Sequence, residues 1–298
     1  MMRIAFIRVC RAALAITFVC LTSHISDGAI VTTGLQVYLN ANTLSLNNGD
    51  PVSVWNSTGG ATVNASQIVV GNETRRPTYI TNALNGNSVV RFDGALGGGG
   101  NLGDYMNLGQ ITATTAGPNE GYTAFFVLKT RTDPHPSDTQ SGLVRLNNGS
   151  GQDTHYRHSS GPIYDGTLNN TRPPSGTPPA GSLDEYHIYS LVSAPNFFQT
   201  RFNSDAPFFT TTATTPEVNY PIGSGGNLIG ASVSGNVYFD GDFAAILVYN
   251  VRLSEADYNE TLAALTTEFF TPVPEPTSLT MLAGCAIGLL RVVRKPRG

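Results

Sequence analysis

The sequence predicts an all-β domain of two packed sheets carrying one helix near its C-terminal end. Charged residues make up only 13% of the chain, while glycine and proline number 32 and 18. That balance suits short strands and tight turns better than long solvated helices. Strand-length apolar or alternating runs recur between clusters of Gly, Asn and Pro, the pattern of strands that alternate sides of a sheet and turn often. No internal repeat of fixed period is visible, and all-β units often run past roughly 200 residues as a single domain.

In chain order, the first element is an export signal. "MMRIAFIRVCR" carries Arg3, Arg8 and Arg11, "AALAITFVCL" is an apolar core, and "TSHISDGA" supplies small residues for cleavage. These three parts in this order predict a signal peptide over residues 1–29 and a mature chain starting near Ile30, although Asp27 sits poorly three places before a cut after Ala29. A lipoprotein signal is disfavoured by Val19 before Cys20, where a small residue is needed. Cys10, Cys20 and Cys285 all lie in the terminal segments, so the body has no disulfide framework, thiolate metal site or cysteine nucleophile.

The domain is expected over residues 30–270. Its strand candidates are "LQVYL", "VSVW", "SQIVV", "NSVVRF", "YTAFFVLKT", "GLVRL", "YHIYSLVS", "FFQTRF", "NLIGA", "VYF" and "FAAILVYN". "GALGGGGNLGD" reads as a glycine-rich turn, and the prolines of "NNTRPPSGTPPAGS" block helix and central strand alike. The helix is expected in "EADYNETLAALTTEFF", with Ser254 as cap, Asp257 three residues on, and Tyr258, Leu262, Leu265 and Phe269 forming an apolar stripe.

Residues 271–298 form a third unit: a Pro-rich linker, an apolar segment and a basic tail. Thr277 to Leu290 would span roughly 21 Å as a helix against a hydrocarbon core of ~30 Å, a marginal length unless Val292 and Val293 join it and Arg291 snorkels. The basic tail then stays on the cytoplasmic side, leaving the domain outside. Between Ile30 and Pro272 there are 10 basic and 19 acidic residues. That net negative charge disfavours a nucleic-acid partner, which needs a basic face to displace counterions.

Several groups of residues are candidates for chemistry. Asp93, Asn101, Asp104, Asp240 and Asp242 lie in oxygen-rich loops of the kind that can hold Ca²⁺; the alternative is that these acids cap turns. No other cofactor is expected. Tyr156, Tyr164, Tyr186 and Tyr189 cluster in the middle of the chain and are, as a group, candidates for stacking on a sugar ring at the surface. Trp55, the only tryptophan, is expected between the sheets. His155 and His158 would face opposite sides of a strand, so with His135 and His187 they are expected as exposed loop residues and not as a zinc site. No GxSxG element is present, and no catalytic residue is expected. Six N-x-S/T sequons, at Asn56, Asn64, Asn72, Asn148, Asn169 and Asn259, would matter only in a eukaryotic secretory pathway.

Two resemblances add to this reading. "VPEP", a short apolar helix and "RVVRK" at the extreme end resemble the PEP-CTERM sorting signal of Gram-negative and related bacteria. That resemblance implies recognition by an exosortase-type sorting protease, with Pro274, Glu275 and Pro276 as the motif and Arg291, Arg294, Lys295 and Arg297 as the basic end. It also implies export, transient inner-membrane anchoring, and then a place at the cell surface or in the extracellular matrix. With that bacterial signal, the sequons read as chance. The body, through "LQVYLNANT", "RPTYITNALNGNSVVRFDG", "DYMNLG", "YTAFFVLKT" and "NLIGASVSGNVYFDGDFAAILVYNVRLSEADYNETLAAL", resembles laminin-G-like, concanavalin A-like jelly rolls. It implies a two-sheet jelly-roll sandwich with the FDG residues mainly structural, but residues 131–226 depart from the pattern. A non-enzymatic module binding an extracellular polysaccharide or matrix component is expected. The alternatives are a glycoside hydrolase or polysaccharide lyase on the same fold, or a purely structural matrix protein. Glu255, Asp257 and Glu260 repeat an E-x-D-x-x-E spacing of some such hydrolases. There the acids converge from a strand; on a helix they would diverge.

Overall fold

A computed structural model of the chain describes residues 28–60, 64–66, 73–94, 103–111, 117, 119–131, 142–146, 153–156, 161–166, 174–179, 183–212, 227–232 and 238–272. Its strands are β1 (Leu35–Asn40), β2 (Val54–Trp55), β3 (Ala65–Ser66), β4 (Thr78–Leu84), β5 (Asn87–Phe92), β6 (Met106–Leu108), β7 (Tyr122–Thr130), β8 (Gly142–Arg145), β9 (Asp153–His155), β10 (Tyr164–Asp165), β11 (His187–Ala194), β12 (Phe197–Phe202), β13 (Phe209–Thr211), β14 (Asn227–Ile229) and β15 (Gly241–Tyr249), followed by helix α1 (Glu255–Phe270). One sheet runs β13-β12-β11-β7-β15-β5-β4 with β1 also paired to β15, and the other runs β10-β9-β8-β14-β6-β3-β2. This is the two-sheet, all-β architecture with one C-terminal helix that the sequence predicts. Residues 1–27 of the expected signal peptide, and the expected sorting residues Pro274, Glu275, Pro276, Arg291, Arg294, Lys295 and Arg297, lie outside the described residues.

The central strands β7, β11 and β15 are buried along nearly their whole length, which explains their almost unbroken apolar runs. On β7, Ala124, Phe126 and Leu128 enter the core between the sheets with Trp55, Phe92, Tyr189 and Phe243. Phe125 and Val127 point the other way, into a second cluster with Leu247, Tyr249 and the helix, as period-two alternation requires. One edge of β15 is shared: Gly241, Asp242 and Phe243 pair with β5, and Ala245 to Tyr249 with β1. A register shift between Phe243 and Ala245 separates the two halves, the local bend a bulge supplies.

Helix α1 forms as expected. The Ser254 hydroxyl accepts from the Asp257 amide at 3.2 Å and donates to the Asp257 carboxylate at 2.7 Å, filling donors that a helix start leaves open. Tyr258, Leu262, Leu265 and Phe269 are buried, each worth roughly 1.5–3 kcal/mol of apolar burial. Arg201 of β12 clamps the first turn through Glu255, with its Nη1 and Nη2 at 2.9 and 3.0 Å. Glu268 holds the last turn to β1, accepting from Tyr38 Oη at 3.0 Å and Asn40 Nδ2 at 2.6 Å. Ile30 and Val31, where the mature chain is expected to begin, pack against the same cluster.

Five strands, β4, β6, β9, β10 and β13, have no counterpart among the predicted strand runs. β4 had a local signal nonetheless: Asn85 and Gly86 connect it to β5 with φ of 49° and 88°, the two-residue hairpin turn that Asn-Gly favours. "VYF" does not form a strand; Tyr238 makes only an isolated bridge to Ala231. Of "SQIVV", only Ser66 falls in a described strand.

Candidate functional site

The aspartates proposed for calcium form an ion-paired ladder on the outer face of the helix-bearing sheet. Register places Asp242 opposite both Lys129 of β7 and Arg91 of β5. Asp242 is fully buried and accepts from Arg91 Nε and Nη2 at 2.7 and 2.9 Å and from Tyr186 Oη at 2.8 Å. One step along the strands, Arg131 reaches Asp240 at 2.5 Å and Asp93 at 2.9 Å. Calcium takes six to eight oxygen ligands. Here a guanidinium lies against Asp93, Asp240 and Asp242, and any cation among them would have to displace it. The residues therefore do not fit calcium, and among the described residues no group of three or more His, Cys, Asp or Glu could hold a metal ion. Asn101 lies outside the described residues.

Asp104 plays a different part, accepting from the Asp93 amide at 2.8 Å. Burial, reinforced by the charge of Asp93, pushes its carboxyl up to about 7 from 3.8. The folded protein therefore holds this proton more tightly than the unfolded chain. Stability should be full below about pH 4 and decline as pH rises to about 7, by roughly 4 kcal/mol for this group alone. Asp104→Asn should flatten that part of the profile in denaturant titrations across this range.

The four tyrosines do not act as one surface group. Tyr156 and Tyr189 are 1% and 0% exposed and meet edge-on in the core at 5.1 Å. Tyr164 is half-buried on β10. Tyr186 is half-buried beside the start of β11; three residues before Tyr189, it falls on the opposite face of the sheet. Burial pushes the Tyr186 phenol above its ordinary value, helped by the Asp242 charge, so it remains a neutral donor. Lys129 Nζ lies 4.8 Å from its ring centroid, a cation–π contact.

The expectation of exposed histidines fails for the two described ones. His155 and His187 are 2% and 5% exposed. His187 stacks on Phe202 at 4.8 Å, its Nδ1 faces the Glu185 carbonyl at 2.7 Å, and its Nε2 meets Tyr156 Oη. A carbonyl can only accept, so Nδ1 carries a proton, while Nε2 meets a phenol oxygen that can either donate or accept. Trp55 is fully buried between the sheets, as expected. Glu255 and Asp257 serve the helix cap and the Arg201 clamp, so the E-x-D-x-x-E letters form no catalytic group.

What the sequence did not single out is a pocket where β11 begins and β12 ends. It has a volume of about 190 Å³, and its described walls include Glu185, Tyr186, His187, Phe202, Asn203 and Asp205. Asn203 shapes the rim. Its φ is +48°, a region asparagine tolerates better than most residues. The Asn203 amide donates to the Ile188 carbonyl at 2.8 Å, while its Oδ1 accepts from the Ile188 amide at 2.9 Å. The carboxylates of Glu185 and Asp205 are exposed and have no partner among the described residues. "LDEY" and "FNSD" each held a weak signal, an aromatic beside acids, but their approach depends on the hairpin between them.

No protein-family model matches the chain, and no curated protein matches it. Among solved structures, the botulinum neurotoxin serotype D binding domain is similar at 11% identity with a TM-score of 0.52, over 80% of this chain and 53% of that one. The chain has a jelly-roll β-sandwich fold. A point mutant of HCR/D gives the same values. A Trypanosoma rangeli sialidase in complex with sialic acid is similar at 16% identity with a TM-score of 0.44, over 80% of this chain and 34% of that one. This chain thus spans about a third of the sialidase and half of the toxin domain, and at such identities the likeness concerns the fold alone. Among the described residues of the sandwich, no helix is long and apolar enough to cross a membrane.

Proposed function

We propose that the protein is an exported, surface-sorted, non-catalytic module that binds a glycan or another extracellular-matrix component through the pocket at Tyr186. One observation carries the reading: Tyr186 and Phe202 line a pocket whose rim carries the Asn203 side-chain Nδ2 and two carboxylates that have no partner among the described residues. An aromatic face accepts the apolar C–H surface of a sugar while amide and carboxylate groups pair its hydroxyls. Tyr186 is held in place from behind by Asp242 and Lys129, so little order has to be gained on binding. Delivery to the surface rests on the signal peptide and on the PEP-CTERM-like ending, read by an exosortase-type protease while the apolar segment anchors the chain in the inner membrane.

The test is binding of the purified protein to immobilised polysaccharides and oligosaccharides. Tyr186→Ala should weaken binding about tenfold, the loss of one aromatic contact of roughly 1.4 kcal/mol, while Tyr186→Phe keeps the ring and most of the affinity. Equal binding by the alanine variant would remove the pocket from the account. Turnover of any polysaccharide would favour the hydrolase or lyase alternative, and a blank panel would favour the structural matrix protein.

A further inference from the structure

We propose that the pocket selects a cationic sugar: a glycan carrying free ammonium groups is preferred over its neutral, N-acylated or acidic counterparts. This rests on the glycan-binding reading above and gives it a ligand class. Among the described residues, the acidic side chains in the pocket wall are Glu185 and Asp205, and no described lysine or arginine lines it. Neither carboxylate is engaged by another described residue. Both are therefore available to a ligand, unlike every aspartate of the ladder behind them.

The nearby positive charges are already committed. Arg91 is bound to Asp242, and Lys129 rests on the Tyr186 ring without forming part of the wall. Both ring nitrogens of His187 are already engaged, Nδ1 by a carbonyl and Nε2 by a phenol. The described wall thus presents two carboxylates and no lysine or arginine. An ammonium group makes charge-assisted hydrogen bonds to a carboxylate, stronger than those a hydroxyl could make.

The remaining wall fits the rest of an amino sugar. A volume of about 190 Å³ has room for roughly six waters at ~30 Å³ each, about what one sugar residue displaces. The Tyr186 ring can hold the sugar's C–H face and adds a cation–π attraction of the kind Lys129 already shows. A uronic or sialic acid would place its carboxylate beside Glu185 and Asp205, a like-charge repulsion at short range. The acidic body of the protein draws a polycationic chain toward the surface in the same sense.

The experiment compares fully deacetylated and fully N-acetylated glucosamine oligomers of equal length, titrated against the full chain by calorimetry. The deacetylated oligomer should bind at least about tenfold more tightly in dilute buffer, with the preference shrinking as salt is raised. Glu185→Gln and Asp205→Asn should each reduce deacetylated binding several-fold, leave acetylated binding unchanged and keep the melting temperature, because neither side chain supports the fold. Glu260→Gln, which removes an exposed acid on α1, should change nothing; if it matched the pocket variants, general charge attraction would account for the binding and the proposal would fall. Equal binding of the two oligomers, or a preference untouched by both pocket variants, would also overturn the cationic selection while leaving glycan binding intact. Failure of every sugar to bind, with Tyr186→Ala without effect, would overturn the reading beneath it.

Discussion

Replacing Arg91 by leucine should destabilise the sandwich by about 3 kcal/mol, whereas Asp242→Asn should cost only about 1 kcal/mol. The asymmetry follows from burial. Asp242 is 0% exposed while the Arg91 side chain is 33% exposed, so the two charges do not lose the same solvent when stranded. Without Arg91, the carboxylate keeps the Tyr186 hydroxyl but has no counter-charge, and it must take up a proton or remain unpaired in the protein interior. Without the Asp242 charge, the guanidinium still reaches water, and an asparagine can still hydrogen-bond it. A double replacement, Arg91→Leu with Asp242→Leu, should be less damaging than the sum of the single leucine changes, since no buried charge is left alone. Urea unfolding monitored by circular dichroism decides the matter. Equal costs for Arg91→Leu and Asp242→Asn would mean that water reaches the pair and that the ladder is a surface feature.

Trp55→Ala should cost about 3–5 kcal/mol, and Trp55→Phe no more than about 1 kcal/mol. Trp55 is fully buried among Val37, Leu108 and the other residues of the inter-sheet core, so alanine would leave a cavity that short strands on either side cannot readily close. The phenylalanine change is gentler for a specific reason. The indole Nε1 has no hydrogen-bond partner among the described residues, so removing it relieves a buried donor that folding leaves unsatisfied, offsetting part of the lost contact area. Because Trp55 is the only tryptophan, intrinsic fluorescence of the unaltered protein reports this core directly and should shift to longer wavelength when the sheets separate. Near-equal stability losses for alanine and phenylalanine would indicate that the indole nitrogen is satisfied by a group not seen here, such as water.

One result probes the outer face of the helix-bearing sheet and the other the core between the two sheets, and their legibility differs for a physical reason. Trp55 could be assigned to the core because a large apolar side chain in a strand-like run has one favourable destination. Arg91 and Asp242 could not be paired, because they are 151 residues apart in sequence and become neighbours only when β5 and β15 lie side by side. The aspartates consequently read as a cation site until the strand order showed each one's partner. Tyr186 and Tyr189 show the same limit within a single run: their spacing implies opposite faces, but which face is inside depends on the opposing sheet. The pocket is likewise assembled from the start of one strand and the end of the next.

By itself, the sequence determined the all-β class, the helix with its Ser254 cap and buried stripe, and the burial of Trp55. Each follows from local periodicity or from the hydrophobic effect acting on a single segment. Only the tertiary structure decided which acids are neutralised by arginine, which tyrosine reaches the surface, and that Glu185 and Asp205 flank a pocket without a cationic partner. Those outcomes depend on strand order and register, and hydrogen bonds and ion pairs act over a few ångströms between residues that the chain alone leaves far apart.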